Sequence, residues 1–212
     1  MMTLRPAVSP WLPEWLTDAP HALPRTVLSL ADGDSISLRA YPIIKTIAGR
    51  KHAMLGYNGQ IPGPLLEVDH NVTINVTFIN DAPFASSIHW HGLRHDNAND
   101  GVPGFTQDPV EPGETFEYTV HFPDAGIYWY HPHHREDAQQ ELGLYGNMIV
   151  RAPDHSYLPN VVQEEILVLD DFTIGPVGQA PFGLEESNFA LMGRFGNPLL
   201  INGETESEFV VD

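Results

Sequence analysis

Six of the 11 histidines in this 212-residue chain fall into two short clusters about forty residues apart. The first is Ile88-His89-Trp90-His91-Gly92, with His95 close behind. The second is Tyr128-Trp129-Tyr130-His131-Pro132-His133-His134. Each contains His-x-His, and in a strand residues i and i+2 point to the same face. If the two strands are neighbours, the imidazoles of His89, His91, His131 and His133 converge. Four neutral imidazoles with open positions suit Cu, Zn, Fe or Ni. A single His-x-His on a strand is more often an exposed polar face. Two of them, each flanked by aromatic residues at the end of an apolar strand, favour the metal, because four buried imidazoles without one are costly to desolvate.

The other histidines read differently. His95 and His134 lie beside the ligand candidates and are candidates for supporting them. His121 alternates with Glu117 and Thr119 on a polar strand face, and His21, His52, His70 and His155 sit in polar or turn-like surroundings, so all five read as surface residues. Trp90, Trp129 and Tyr130 read as packing around the ligands.

The elements that must hold these residues are short. Pro and Gly supply 37 of 212 residues, 19 and 18 respectively, which argues for many short strands and against long helices. Val72, Ile74, Val76 and Phe78 alternate with Thr73, Asn75 and Thr77, a period of two. Phe116, Tyr118, Val120 and Phe122 form a second such face between turn sequences at 111–114 and 123–126. Weaker strand candidates are Thr26–Leu30, Ser35–Ile43, Met54–Asn58, Ile88–Gly92, Ile127–His131, Gly146–Arg151 and Glu165–Asp171. This pattern predicts a β-sandwich or barrel. One or two helical turns are expected in Arg135–Leu144. The long polar loop Asp96–Asp108 is a functional candidate. Asn71-Val72-Thr73 and Asn75-Val76-Thr77 fit the glycosylation pattern but fall in a strand and are read as coincidence.

Composition bounds the function. Lys plus Arg number 10 and Asp plus Glu 28, a net charge of −18, so nucleic-acid phosphates are poor partners. No Cys is present, which removes disulfides, thiolate nucleophiles and Cys-ligated metals from this chain. No stretch approaches the roughly 18 apolar residues of a membrane helix, so no membrane partner is expected, and the N-terminus lacks a signal-peptide apolar run. Neither a Gly-x-Ser-x-Gly elbow nor a Gly-rich phosphate loop occurs. A boundary is expected near Pro153–Pro159, with an apolar strand beyond it opening a second unit.

His89-Trp90-His91-Gly92, Asp100-Gly101-Val102-Pro103-Gly104, Gln107, Pro109, Glu111-Pro112-Gly113-Glu114 and Gly126-Ile127-Tyr128-Trp129-Tyr130-His131-Pro132-His133 together resemble the first cupredoxin domain of multicopper oxidases. Tyr57-Asn58-Gly59-Gln60-Ile61-Pro62-Gly63-Pro64 and Leu144-Tyr145-Gly146-Asn147-Met148-Ile149-Val150 extend the likeness over roughly Ala53 to Pro153, and 197–203 resembles the beginning of a second such domain. The resemblance implies an all-β, cupredoxin-like Greek-key β-sandwich followed by an incomplete second domain. It divides the chain into 1–45, an N-terminal extension with the first strands; 46–155, the copper-ligand domain; and 156–212, a linker and the start of the second domain. It implies copper as cofactor, His89 as a type-2 ligand, His91, His131 and His133 as type-3 ligands, and Asp100 as the carboxylate that assists proton delivery. It also implies O2 as oxidant, a small reducing substrate or metal ion as donor, and a periplasmic or extracellular setting. The family's C-terminal His-Pro-x-His-x-His and His-Cys-His motifs are absent. Half the trinuclear-cluster ligands and the blue-copper Cys must then come from a C-terminal cupredoxin domain of the same or another chain. The alternative is a stand-alone copper-binding module without turnover.

Overall fold

The computed structural model describes residues 19–152, 161, 163–175, 178–179 and 195–205. Its strands are β1 Val27–Leu30, β2 Ser35–Ile47, β3 Arg50–Tyr57, β4 Leu65–Asp69, β5 Val72–Asn80, β6 His89–His91, β7 Thr115–Phe122, β8 Gly126–His131 and β9 Gly146–Arg151. Further strands follow at β10 Leu169–Asp171, β11 Ile174–Gly175, β12 Gly178–Gln179 and β13 Leu199–Ile201. Two sheets dominate, in the orders β1-β4-β9-β8-β6 and β3-β2-β5-β7. The architecture is the all-β, cupredoxin-like sandwich expected.

Alternation puts the apolar residues between the sheets. Val72, Ile74, Val76 and Phe78 of β5 and Tyr118, Val120 and Phe122 of β7 are all buried, and the two strands pair antiparallel. From the facing sheet come Leu66, Trp90, Tyr130 and Met148, each fully buried. The Trp90 ring meets Tyr118 edge-on at 5.6 Å, so the middle residue of His-Trp-His anchors β6 while its two neighbours face the other way.

Several expectations are adjusted. β2 runs on to Ile47 and β3 begins at Arg50, making a longer hairpin. β4 is not among the expected strands; it lies between β1 and β9, and its alternation, Leu66 and Val68 buried against Glu67 and Asp69, spans only five residues and is too short to stand out. The expected strand Glu165–Asp171 is regular only from Leu169. The helical stretch reduces to one turn, α1, at Glu136–Gln139. Asn71 occupies the turn before β5 at φ 66°. His155 lies outside the described residues. His52 is corrected outright: it is 5% exposed, because the segment around Phe172 folds over it and the two rings meet at 4.9 Å.

That segment joins a second apolar cluster, in which Phe172 and Leu200 pack with Ile43, Ile47, Met54 and Ile61. Lys45, with its side chain 6% exposed, reaches Glu204 at 2.8 Å. Phe172→Ala should therefore cost about 3–5 kcal/mol locally. Limited proteolysis should then cut near Leu199–Ile201 while strands β5 and β7 keep their hydrogen-exchange protection. Uniform protection throughout would contradict this docking.

Candidate metal centre

β6 and β8 are antiparallel neighbours, and His89 stands directly opposite His131 in the register. His89 and His91 share one face of β6. His131 ends β8, and Pro132 turns the chain so that His133 returns to the same side. The four rings form one group: His89 lies 5.5 Å from His91 and from His131 between centroids, and 4.4 Å from His133. His131 lies 5.4 Å from His91 and 5.2 Å from His133. Trp129 stacks on His131 at 3.8 Å.

Carbonyl groups assign the tautomers. His89 Nδ1 lies 2.7 Å from the Asp100 carbonyl, and His131 Nδ1 lies 2.9 Å from the Pro132 carbonyl. Each ring therefore donates from Nδ1, leaving its Nε2 lone pair free for a metal. His91 Nδ1 and His131 Nε2 face each other at 3.2 Å. In the metal-free chain this is an N–H···N hydrogen bond. Imidazole nitrogens about 2.0–2.1 Å from a common ion, as on zinc, stand about 3.3 Å apart at a tetrahedral angle. The same two atoms thus fit a shared metal. An all-imidazole donor set with open positions suits copper.

Surrounding polar residues hold these rings. Gln139, fully buried, accepts from Ser86 Oγ at 2.7 Å and donates to the Ala85 and His134 carbonyls. It thereby ties the His133–His134 turn to the run leading into β6. Ser87 Oγ accepts from the His133 amide at 3.2 Å. The Gln140 side-chain amide lies 2.8 Å from His131 Nδ1; with that nitrogen donating to Pro132, the amide bonds it only when its oxygen is turned toward the ring. None of these three stands out in the sequence; the polar run Arg135–Glu141 reads there only as a helix former. Asp100 follows the 3-10 turn Asn97–Asn99, which Asp96 caps and which Asn99 pins to β7 by accepting from the Thr119 amide.

His91, His131 and His133 open into a cleft of about 740 Å³ whose rim carries Glu136, Asp137, Glu141 and Asp170. Glu136 Oε2 is 3.9 Å from His133 Nε2. Of the bystanders, His121 is partly buried against Thr73 at 3.0 Å, while His21 and His70 are exposed.

Burial, opposed in part by the Pro132 carbonyl and reinforced by the neighbouring histidines, pushes the His131 pKa down to about 4. The native chain thus resists a proton that the unfolded chain takes up below about pH 6.5. Stability is full above that pH and is lost as pH falls toward 4. His52 and His95, also lowered by burial, add in the same direction. At pH 5 the metal-free chain should be less stable than at pH 7 by about 2 kcal/mol from His131 alone. That corresponds to a melting temperature lower by roughly 4–8 °C. An unchanged melting temperature would contradict the burial argument.

A sequence model of the multicopper oxidase family matches residues 41–155. The chain is 42% identical to "Multicopper oxidase MCE" of Talaromyces pinophilus over 113 residues, 52% of this chain and 18% of that protein. It is 33% identical to "Copper resistance protein A" of Pseudomonas syringae pv. tomato over 161 residues, 76% of this chain and 25% of that one. Among solved structures, a multi-copper oxidase from Pseudomonas thermotolerans superposes with a TM-score of 0.72 at 32% identity, covering 82% of this chain and 42% of that one. The chain thus spans a quarter or less of these curated relatives and under half of the solved one. With the family match covering more than half of the 212 residues, the chain belongs to the multicopper oxidase family, whose cofactor is copper.

Proposed function

We propose that the chain is the N-terminal part of a copper-dependent oxidase that couples oxidation of a reductant to reduction of O2 to water. His89 is its type-2 copper ligand, and His91, His131 and His133 are type-3 ligands. The observation that carries this reading is the register of β6 against β8, which opposes His89 to His131 and gathers four rings into one group. Residues 46–155 hold the ligands, and 156–212 begin a second cupredoxin domain. A C-terminal cupredoxin domain of the same or another chain completes the cluster and contributes the Cys that this chain lacks.

Copper, when bound, supplies the redox chemistry. The protein's own residues supply position and protons. The Asp100 and Pro132 carbonyls fix the rings of His89 and His131 with Nε2 outward. Trp129 covers one face of His131. O2 reduction consumes protons, and Asp100, with its side chain 31% exposed and Oδ1 3.4 Å from His89 Nδ1, can hold a proton taken from solvent beside the cluster. Small reductants or metal ions are the proposed electron donors, and the acidic surface favours cations.

Mixing the chain with a C-terminal multicopper oxidase segment bearing the Cys and the four remaining histidines, in the presence of copper and a phenolic reductant, should give O2 uptake that neither part shows alone. Copper binding without uptake in the mixture would instead favour a stand-alone binding module.

A further inference from the structure

His95 sits behind the metal centre in an unusual state for a polar ring. Its side chain is 1% exposed, yet neither ring nitrogen has a hydrogen-bond partner. Buried polar groups are nearly always satisfied, and an orphaned ring calls for an explanation. Asp100 stands close, its Oδ1 3.5 Å from His95 Nε2. The same Oδ1 is 3.4 Å from His89 Nδ1, and the Asp100 carbonyl accepts from that nitrogen at 2.7 Å. His95, Asp100 and His89 thus form a line running from the interior to the metal centre. The charged and titratable groups acting on His95 are Asp100, His89 and Asp96.

We propose that His95 is a positioning residue for the copper centre. Its ring donates from Nε2 to Asp100 Oδ1 and holds that residue, carboxylate and carbonyl together, against His89 Nδ1. The contact is slightly long here, as such contacts are before a site is loaded. A few tenths of an ångström of closure makes it a charge-assisted hydrogen bond. Burial keeps the ring neutral, and a neutral imidazole has one N–H to give. The role rests on His89 being a copper ligand.

The test is nitrogen-15 NMR of the histidine rings in the metal-free 212-residue chain. The proposal predicts the Nε2–H tautomer for His95. It predicts that His95→Phe speeds solvent exchange of the His89 Nδ1–H roughly tenfold, the effect of losing one ordinary hydrogen bond. His95→Gln, which keeps a donor near the Nε2 position, should restore the wild-type rate. An Nδ1–H tautomer, or His89 exchange unaffected by His95→Phe, would overturn it. Should His95→Phe not fold, Asp100→Ala reads the same contact from its other end: the His95 Nε2–H must lose protection, and an unchanged signal refutes the contact. Copper titration of wild type and His89→Ala separates the two readings. Equal binding would remove His89 from the centre and the role of His95 with it, whatever the tautomer.

Discussion

Replacing His131 with alanine should weaken copper binding by the 212-residue chain at least roughly a hundredfold, beyond the 10–100-fold that loss of a ligand's supporting partner gives. His131 is the shared member of both potential ligand groups, His89/His91/His131 and His131/His133/Glu136. Its Nε2 faces His91 Nδ1 at 3.2 Å, and no other imidazole among the described residues can take that position. The ring is 2% exposed and stacked on Trp129, so the alanine variant also leaves a small cavity. Calorimetric copper titration on variants whose melting transition is intact separates the two effects. His121→Ala, on the other sheet, should bind as wild type. Loss confined to His121→Ala, or no loss in His131→Ala, would place copper elsewhere.

Gly101→Ala should be the most destabilising single-methyl change near the site, costing about 2–5 kcal/mol or more. Gly101 has φ +73°, and a Cβ there would lie 1.7 Å from the Ile88 carbonyl oxygen and 2.9 Å from the His89 amide nitrogen. Left-handed backbone alone costs a non-glycine residue roughly 1–2 kcal/mol. Overpacking typically adds about 1–3 kcal/mol and more when only backbone can yield. The collision falls on the peptide leading into β6, so relief of the clash must pull Asp100 away from His89. Gly104 is the internal comparison: at φ +81° no atom lies within 4 Å of the place its added methyl would occupy, so Gly104→Ala should cost only about 1–2 kcal/mol. Urea unfolding of both variants distinguishes them, and equal midpoints would contradict the packing assigned to Gly101.

Much of the fold and the site is legible in the sequence, for identifiable reasons. Period two in β5 and β7 comes from one face buried and one solvated. The His89-x-His91 pair reads as same-face ligands because both lie in β6, whereas His133 lies beyond the end of β8 and reaches the group only through the turn at Pro132. The pairing of β6 with β8 is only a supposition at that level, since it depends on a contact across about forty residues that no local pattern encodes. β4 escapes because it is only five residues long and prolines at 62 and 64 precede it. His52 reads as a surface residue because Arg50 and Lys51 beside it are polar, whereas its cover, Phe172, is supplied from 120 residues away. Gln139 and Gln140 look like helix surface, and only tertiary packing turns them toward the His133 turn and the His131 ring.

The central claim, that copper binds among these four imidazoles, is tested most directly by anomalous diffraction at the copper edge from a copper-loaded crystal of the 212-residue chain. The predicted result is anomalous density bounded by His91 Nδ1 and His131 Nε2, with His89 and His133 at its margin. Density only against the Glu136, Asp137 and Glu141 carboxylates, with none among the imidazoles, would contradict it.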